Sequence, residues 1–195
     1  MPEKKPADRR TLKTKRAIRQ ALSELLKEKD LRKITVQEII DKAEISRFTF
    51  YKYYLDVYDL YDKIEREILI HMSIIMLQIE NKTTESFFEK LTEYISDNSS
   101  AFEMIFSPNT KSSLRDKLSR IIEGMFRKLY SEKLDIPIDD RELFYTCCYR
   151  SQGCLAVIQN WVTNGFAESR KDIVRLLTAL DRQTERYFSD KTGKG

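Results

Sequence analysis

An all-α protein of about nine helices is what this sequence predicts, and three observations carry the prediction. Apolar residues recur at i, i+3, i+4 and i+7 in most stretches, and sustained period-2 runs are missing. Only 5 Gly and 4 Pro interrupt 195 residues that are otherwise rich in Leu, Ile, Lys and Glu. The third is a hydrophobic content of 41%, enough for a real core, so the chain is not disordered.

The first helix spans Leu12 or Thr14 to Lys29, with Ile18, Leu22, Leu25 and Leu26 as its inner stripe, and Asp30 ends it. Leu31 and Ile34 lead into a second helix that Thr35 caps and that buries Val36, Ile39, Ile40 and Ala43. The period then breaks at Glu44-Ile45-Ser46. Ser46 caps a third short helix, whose buried side is Ile45, Phe50 and Tyr54. Two short helices and a three-residue turn have the proportions of a helix-turn-helix, whose second helix enters the DNA major groove. A three-helix unit of roughly 50 residues is small for independent stability, so it docks on the remainder of the chain.

Next comes one long helix, Val57 to Glu80, with Leu60, Ile64, Ile68, Met72, Ile75, Met76 and Ile79 on one face. Uninterrupted by Gly or Pro, it is expected to act as a rigid lever between two domains, residues 1–56 and 57–195. Five more helices complete the chain: Thr84 to Asp97, Ser99 to Phe106, Ser112 to Leu134, Asp140 to Thr163, and one from Ser169 to about Phe188. Ser107-Pro108-Asn109 marks a break, and Asn164-Gly165 suits a left-handed cap. The tail from Lys191 is expected to fray.

Charge separates the two halves. Residues 1–54 hold 15 Lys+Arg against 8 Asp+Glu, and residues 55–195 hold 20 against 23. The excess crowds the first twenty residues, where Lys4, Lys5, Arg9 and Arg10 suit an arm along a phosphate backbone. The third helix carries Arg47, Thr49, Tyr51, Lys52 and Tyr53 and no carboxylate between Ser46 and Leu55, which favours an anionic partner. Arg grips a guanine edge with two hydrogen bonds, and Phe48 offers an apolar surface to a thymine methyl.

Other chemistries find little support. A single His, no Ser-His-Asp arrangement, no phosphate-cradling Gly loop and no paired-carboxylate motif leave no catalytic residues and no cofactor to expect. Cys147, Cys148 and Cys154 are odd in number and lack a C-x-x-C spacing, so neither a disulfide framework nor a metal site is expected. His71, in the run Ile68-Leu69-Ile70-His71-Met72, reads as a packed or hydrogen-bonded core residue. No apolar segment reaches the ~18 residues of a membrane span and no signal-peptide core is visible, which places the protein in the cytoplasm.

The run Ser46-Arg47-Phe48-Thr49-Phe50-Tyr51-Lys52-Tyr53-Tyr54, followed by Asp56 and Tyr58-Asp59-Leu60, resembles the recognition-helix region of TetR/AcrR-family transcriptional regulators. It is closest to the branch reading R-x-T-F-Y-x-H-F-x-D-K-Y-D-L, that of dihydroxyacetone-kinase-regulator-like members. The resemblance covers about Thr14 to Leu60. It implies that Arg47, Phe48 and Tyr51 face bases, that Thr35, Thr49, Lys52 and Tyr53 hold phosphates, and that Ser46 belongs to the same DNA-reading set. Three positions depart from the pattern: Glu44 stands where many members have the turn Gly, Phe48 where many have Gly, and Val57 where most have a phosphate-gripping Lys.

Gly153 and Trp161-Val162-x-Asn164-Gly165 also resemble the second domain of that branch, which implies homodimers built through the last two long helices. Gly153, Leu155, Ile158, Val162, Leu176, Leu177 and Leu180 are the expected seam, since they make more apolar face than one helix pair covers. Two recognition helices across a dyad would read a palindromic operator in double-stranded DNA. The resemblance further implies a bacterial repressor, released or modulated by an unknown small-molecule effector. Phe88, Phe102, Met125, Phe126, Tyr145, Tyr149 and Trp161 are candidates to line its pocket, although aromatics at helical spacing serve equally as core. The alternative is a DNA-binding coactivator or adaptor whose second domain holds another protein.

Overall fold

A computed structural model of the chain describes residues 6–77, 83–110 and 114–192. Within them lie α1 (Pro6–Glu28), a 3-10 turn (Leu31–Lys33), α2 (Val36–Lys42), α3 (Arg47–Tyr51), α4 (Val57–Leu77), α5 (Thr84–Asp97), α6 (Ser99–Ile105), α7 (Leu114–Leu134), α8 (Arg141–Thr163) and α9 (Arg170–Thr192). The described residues contain no strand, as the hydrophobic period predicts. Ile79 and Glu80, expected to end the long helix, and Ser112 lie outside the described residues. Two ends differ from expectation. α1 starts at Pro6, where proline's fixed φ and missing N–H suit a first helical turn, and α9 continues to Thr192.

The chain divides into two compact units, and the division does not fall at residue 56. The first unit holds α1–α3, α4 through Glu67, and α6; the second holds α4 from Ile68, α5 and α7–α9. Ser99 to Phe106, expected in the second domain, therefore belongs with the first helices. The reason is packing: α6 lies on α1 and buries Phe102, Met104 and Ile105 in the same unit as Ile18, Leu22 and Leu26. Hydrogen bonds fix the loop after it. The Leu26 carbonyl accepts from Ser107 Oγ at 3.1 Å and from Asn109 Nδ2 at 2.9 Å, which satisfies an orphan acceptor at the end of α1.

α2 and α3 are too short to persist alone, so their ends are fastened. Thr35 Oγ1 accepts from the Glu38 N–H while Glu38 accepts from the Thr35 N–H, a complete capping box. α2 then ends in a reversed turn, with Glu44 N–H on the Asp41 carbonyl and Ile45 N–H on the Ile40 carbonyl. That turn puts Glu44 at φ 51°, a left-handed conformation in which a Cβ is strained. The same motif closes α8, where Gly165 takes φ 69° and Phe166 lays its ring edge-on against Trp161 at 4.9 Å.

In the second unit α7 packs on α8 and α5 on α9, around Phe87, Phe88, Phe126, Tyr130, Leu143 and Trp161. Four residues expected at a dimer seam belong to this interior instead: Leu155, Ile158, Val162 and Leu177 are all buried within the single chain. Leu176 and Leu180 remain half-exposed, on a side of α9 turned away from the buried Leu177. His71 is not a core residue either. It is exposed and stacks on Tyr94, with ring centroids 5.0 Å apart.

Relief of the strained turn is directly measurable. Glu44→Gly should raise the stability of the first unit by about 1 kcal/mol, because Gly adopts the left-handed region without the Cβ penalty. Equilibrium denaturant unfolding reads the change, and a loss of stability would show that Glu44 is not strained.

Candidate nucleic-acid interface

The candidate surface rests on a helix of five residues, and a buried ring anchors it. Phe50 is fully buried and packs edge-on to Tyr51 at 5.6 Å and against Tyr54 at 5.7 Å. Ser46 Oγ accepts the Thr49 N–H at 3.1 Å and lies 2.8 Å from the Thr49 hydroxyl, so the N-terminal end is closed. With Phe50 facing inward, Phe48 projects outward at 81% exposure, Tyr51 at 51%, and Arg47 and Lys52 are exposed.

The expected base-facing residues are thus brought to one outer side of α3. Arg47 is oriented by a hydrogen bond from its Nη2 to Gln37 Oε1 on α2, 2.8 Å long. Tyr53 is half-buried and sits where α3 meets α1. Its hydroxyl is 3.4 Å from Thr11 Oγ1, and Lys15 and Lys52 approach its ring face at 5.9 and 5.6 Å. Thr11 and Gln37 are residues that sequence reasoning missed. Lys15 belongs to the basic excess of the first twenty residues, and only the register of α1 against α3 places it on Tyr53.

Thr35 is placed differently from the others. Its N–H and its hydroxyl both donate to Glu38 Oε2, at 3.0 and 2.9 Å, so its donors serve the cap. Lys29 pairs with the other oxygen of Glu38. This ammonium first, then the backbone and hydroxyl of Thr35, hold the Glu38 carboxyl down at about 2. Val57 leaves the start of α4 without the lysine of the family pattern, and Lys63, further along the same helix, reaches back toward α3. It donates to the Tyr53 carbonyl at 3.0 Å and to Asp59 at 2.9 Å. Arg9 and Arg10 lie on the first turns of α1 and are exposed, so that part of the expected arm is helical; Lys4 and Lys5 lie outside the described residues.

The second unit holds a cavity of about 560 Å³ between α5, α7, α8 and α9. Of the expected lining residues it takes Phe88, Phe126 and Tyr149. The other four are elsewhere, for plain packing reasons. Phe102 belongs to the core of the first unit, and Trp161 is core with its Nε1–H on the Glu168 carbonyl at 2.9 Å. Met125 is half-buried and not at the cavity, and Tyr145 is 61% exposed beside Phe144. Arg150 and Asp181, which no sequence pattern singles out, form a buried ion pair on the cavity wall. Burial pushes the Cys147 and Cys154 thiols up to about 12, so both are neutral packing groups. No described helix is long and apolar enough to cross a membrane.

Residues 82–182, just over half of the chain's 195, match the family described as the transcriptional regulator C-terminal region, of the TetR type. Among solved structures the chain is similar to a dihydroxyacetone kinase operon activator, DhaS, at 20% identity over 86% of this chain and 95% of that one, with a TM-score of 0.53. It is also similar to a TetR transcriptional regulator from Streptococcus agalactiae 2603V, at 19% identity over 89% and 96% of the two chains, with a TM-score of 0.50. At these identities both show the fold. No curated protein matches the chain in sequence.

The Glu38 cap has a pH signature. A carboxyl whose folded value lies near 2 against an ordinary 4.5 contributes its full stabilisation above 4.5 and loses it as pH falls toward 2. Glu38→Gln should therefore flatten the acid limb of a thermal unfolding series between those two pH values. An unchanged slope would place the sensitivity in other carboxylates.

Proposed function

The chain belongs to the TetR family of transcriptional regulators, and on that premise we propose that it is a repressor that binds a palindromic operator in double-stranded DNA as a homodimer. A small molecule held in the C-terminal region releases or modulates it. The single observation that carries the DNA reading is the outer side of α3: Arg47, Phe48, Tyr51 and Lys52 project together, with no carboxylate on the helix. Arg47 and Tyr51 read base edges and Phe48 meets an apolar base surface. Lys52, Thr49, Tyr53 and, beside them, Lys15 hold phosphates, with Ser46 fixing the helix that presents them.

One short helix reads few bases, so two copies across a dyad are needed, with recognition helices about 34–36 Å apart. A seam for them is available on the faces that the chain's own core leaves over. α8 presents Tyr149, Gly153 and Val157, and α9 presents Leu176, Leu180 and Tyr187. A Cβ at Gly153 would meet nothing within 4 Å of its own chain, so nothing in the single subunit requires Gly there, and a close approach by the second copy accounts for it. The small-molecule reading is preferred to a protein-adaptor role because the second unit holds a cavity of about 560 Å³ walled by Phe88, Phe126 and Leu177. One structural relative is named an operon activator, so a reporter driven from the bound site reads the sign of regulation.

Selection of bound duplexes from a random pool tests the DNA reading. The expected product is an inverted repeat. Arg47→Ala should relax preference at particular base pairs by about 1–3 kcal/mol. Lys52→Ala should weaken all duplexes alike and lower the salt slope by about one. Affinity nearly independent of salt between about 50 and 200 mM would overturn the phosphate contacts. For the dimer, a Leu176→Glu/Leu180→Glu double variant should sediment as a monomer and lose the inverted-repeat preference. Wild type sedimenting as a monomer at micromolar concentration would overturn the dyad.

A further inference from the structure

We propose that Gln37 and Asp41 of α2 are specificity-determining positioning residues: a hydrogen-bonded chain from Asp41 through Gln37 to Arg47 holds the guanidinium ready for a guanine edge and withdraws Gln37 from reading a base itself. This deepens the DNA reading above and rests on it.

Arg47 is the first residue of α3, and Gln37 lies across the turn on α2. Arg47 Nη2 donates to Gln37 Oε1 at 2.8 Å, and Gln37 Nε2 donates to Asp41 Oδ1, also at 2.8 Å. Both ends of the chain fix its direction. A guanidinium only donates and a carboxylate only accepts, so the amide between them has one satisfied orientation, with Oε1 toward Arg47 and Nε2 toward Asp41. Gln37 and Asp41 are one turn apart and share a face of α2, and all three side chains are exposed. The chain is therefore built on the surface, at the edge of the outer side of α3, and not in the core.

The consequence is a choice between two readers. Glutamine is a base reader when both ends of its amide are open, because adenine needs the Nε2 donor and the Oε1 acceptor together. Here both ends are engaged within the protein. Arg47 has committed Nη2 to one bond, and its planar fork keeps the remaining N–H groups in fixed directions. Guanine offers two acceptors, O6 and N7, to such a donor, whereas adenine sets an amino group against it. Ordering a long exposed side chain opposes binding, and holding it beforehand lowers that cost. The carboxylate of Asp41 weakens the attraction to every duplex alike, so its place beside this surface is accounted for by the amide it orients.

The test uses the full-length protein and the operator obtained by the selection above, beside the same duplex with 7-deazaguanine at the guanine to which Arg47→Ala loses its preference. This base lacks only the N7 acceptor. Wild type should bind the substituted duplex about tenfold more weakly, the worth of a hydrogen bond from a charged donor. Gln37→Ala should shrink that ratio by about threefold and keep the salt slope, and Arg47→Ala should abolish it. In the Arg47→Ala background, Gln37→Ala should change nothing further. Asp41→Asn still offers an acceptor to Nε2 and should keep the ratio, while Asp41→Ala, which removes the same charge, should shrink it as Gln37→Ala does. Gln37 and Asp41 are exposed and alanine is the best helix former, so these variants fold.

A wild-type ratio in Gln37→Ala overturns the proposal and leaves the DNA reading standing. So does a loss that persists in the Arg47→Ala background, since Gln37 would then touch DNA itself. Equal losses in the two Asp41 variants overturn the hydrogen-bonded chain, and an operator without guanine at the pairs that Arg47→Ala relaxes overturns the guanine choice. An Arg47→Ala variant with undiminished sequence preference overturns the DNA reading, and this proposal with it.

Discussion

A five-residue helix has almost no stability of its own in water, because nucleation fixes several dihedrals before hydrogen bonds offset them. The proposed recognition surface depends on how α3 escapes that limit. Ser46 closes its first turn, Phe50 roots it in the core, and the capping box on α2 fixes the neighbour it turns from. With both ends held, the outward side chains share one orientation at little further entropic cost. Arg47 is additionally steadied by Gln37, so a polar group from the first helix of the pair helps aim the second. The same economy of short elements accounts for Glu44, whose left-handed backbone completes a hydrogen-bonded turn at the expense of local strain.

The second unit poses the opposite problem. Its helices are long enough to stand, and the question is which of two apolar sides each one buries. On α8 one side runs Leu143, Cys147, Arg150, Cys154, Ile158 and Trp161 and is buried. Its only charge is answered by Asp181 from α9 and cushioned by two aromatic rings. Such a pair adds little net stability against an apolar replacement, but it commits α8 and α9 to one register, because a shift of either would leave a buried charge alone. The other sides of both helices retain Tyr149, Leu176, Leu180 and Tyr187 in solvent.

Local signals were legible in the sequence, and non-local ones were not. Thr35, Ser46 and Gly165 are caps whose partners lie within a few residues, so spacing alone located them. The helix order and the outward side of α3 followed from period and from the absence of carboxylates. Leu177 and Leu176 show where that ends: both are leucines in an apolar helix, and only the position of α5 decides which one is core. Arg150 was hidden for a related reason. A charge inside an apolar stripe reads as an interruption until its partner, on another helix, is in view. Phe102 is a third case: chain order puts α6 beside α5, while its packing partner is α1.

That last placement has a practical corollary for anyone dissecting the molecule. The carbonyl of Leu26, at the end of α1, is satisfied by Ser107 and Asn109, and Phe102 closes the interior behind it. A gene fragment stopped after the third helix would yield a polypeptide with a missing wall and an unanswered acceptor. The first compact unit of this regulator is discontinuous along the gene, so its minimal autonomous piece cannot be obtained by a single cut.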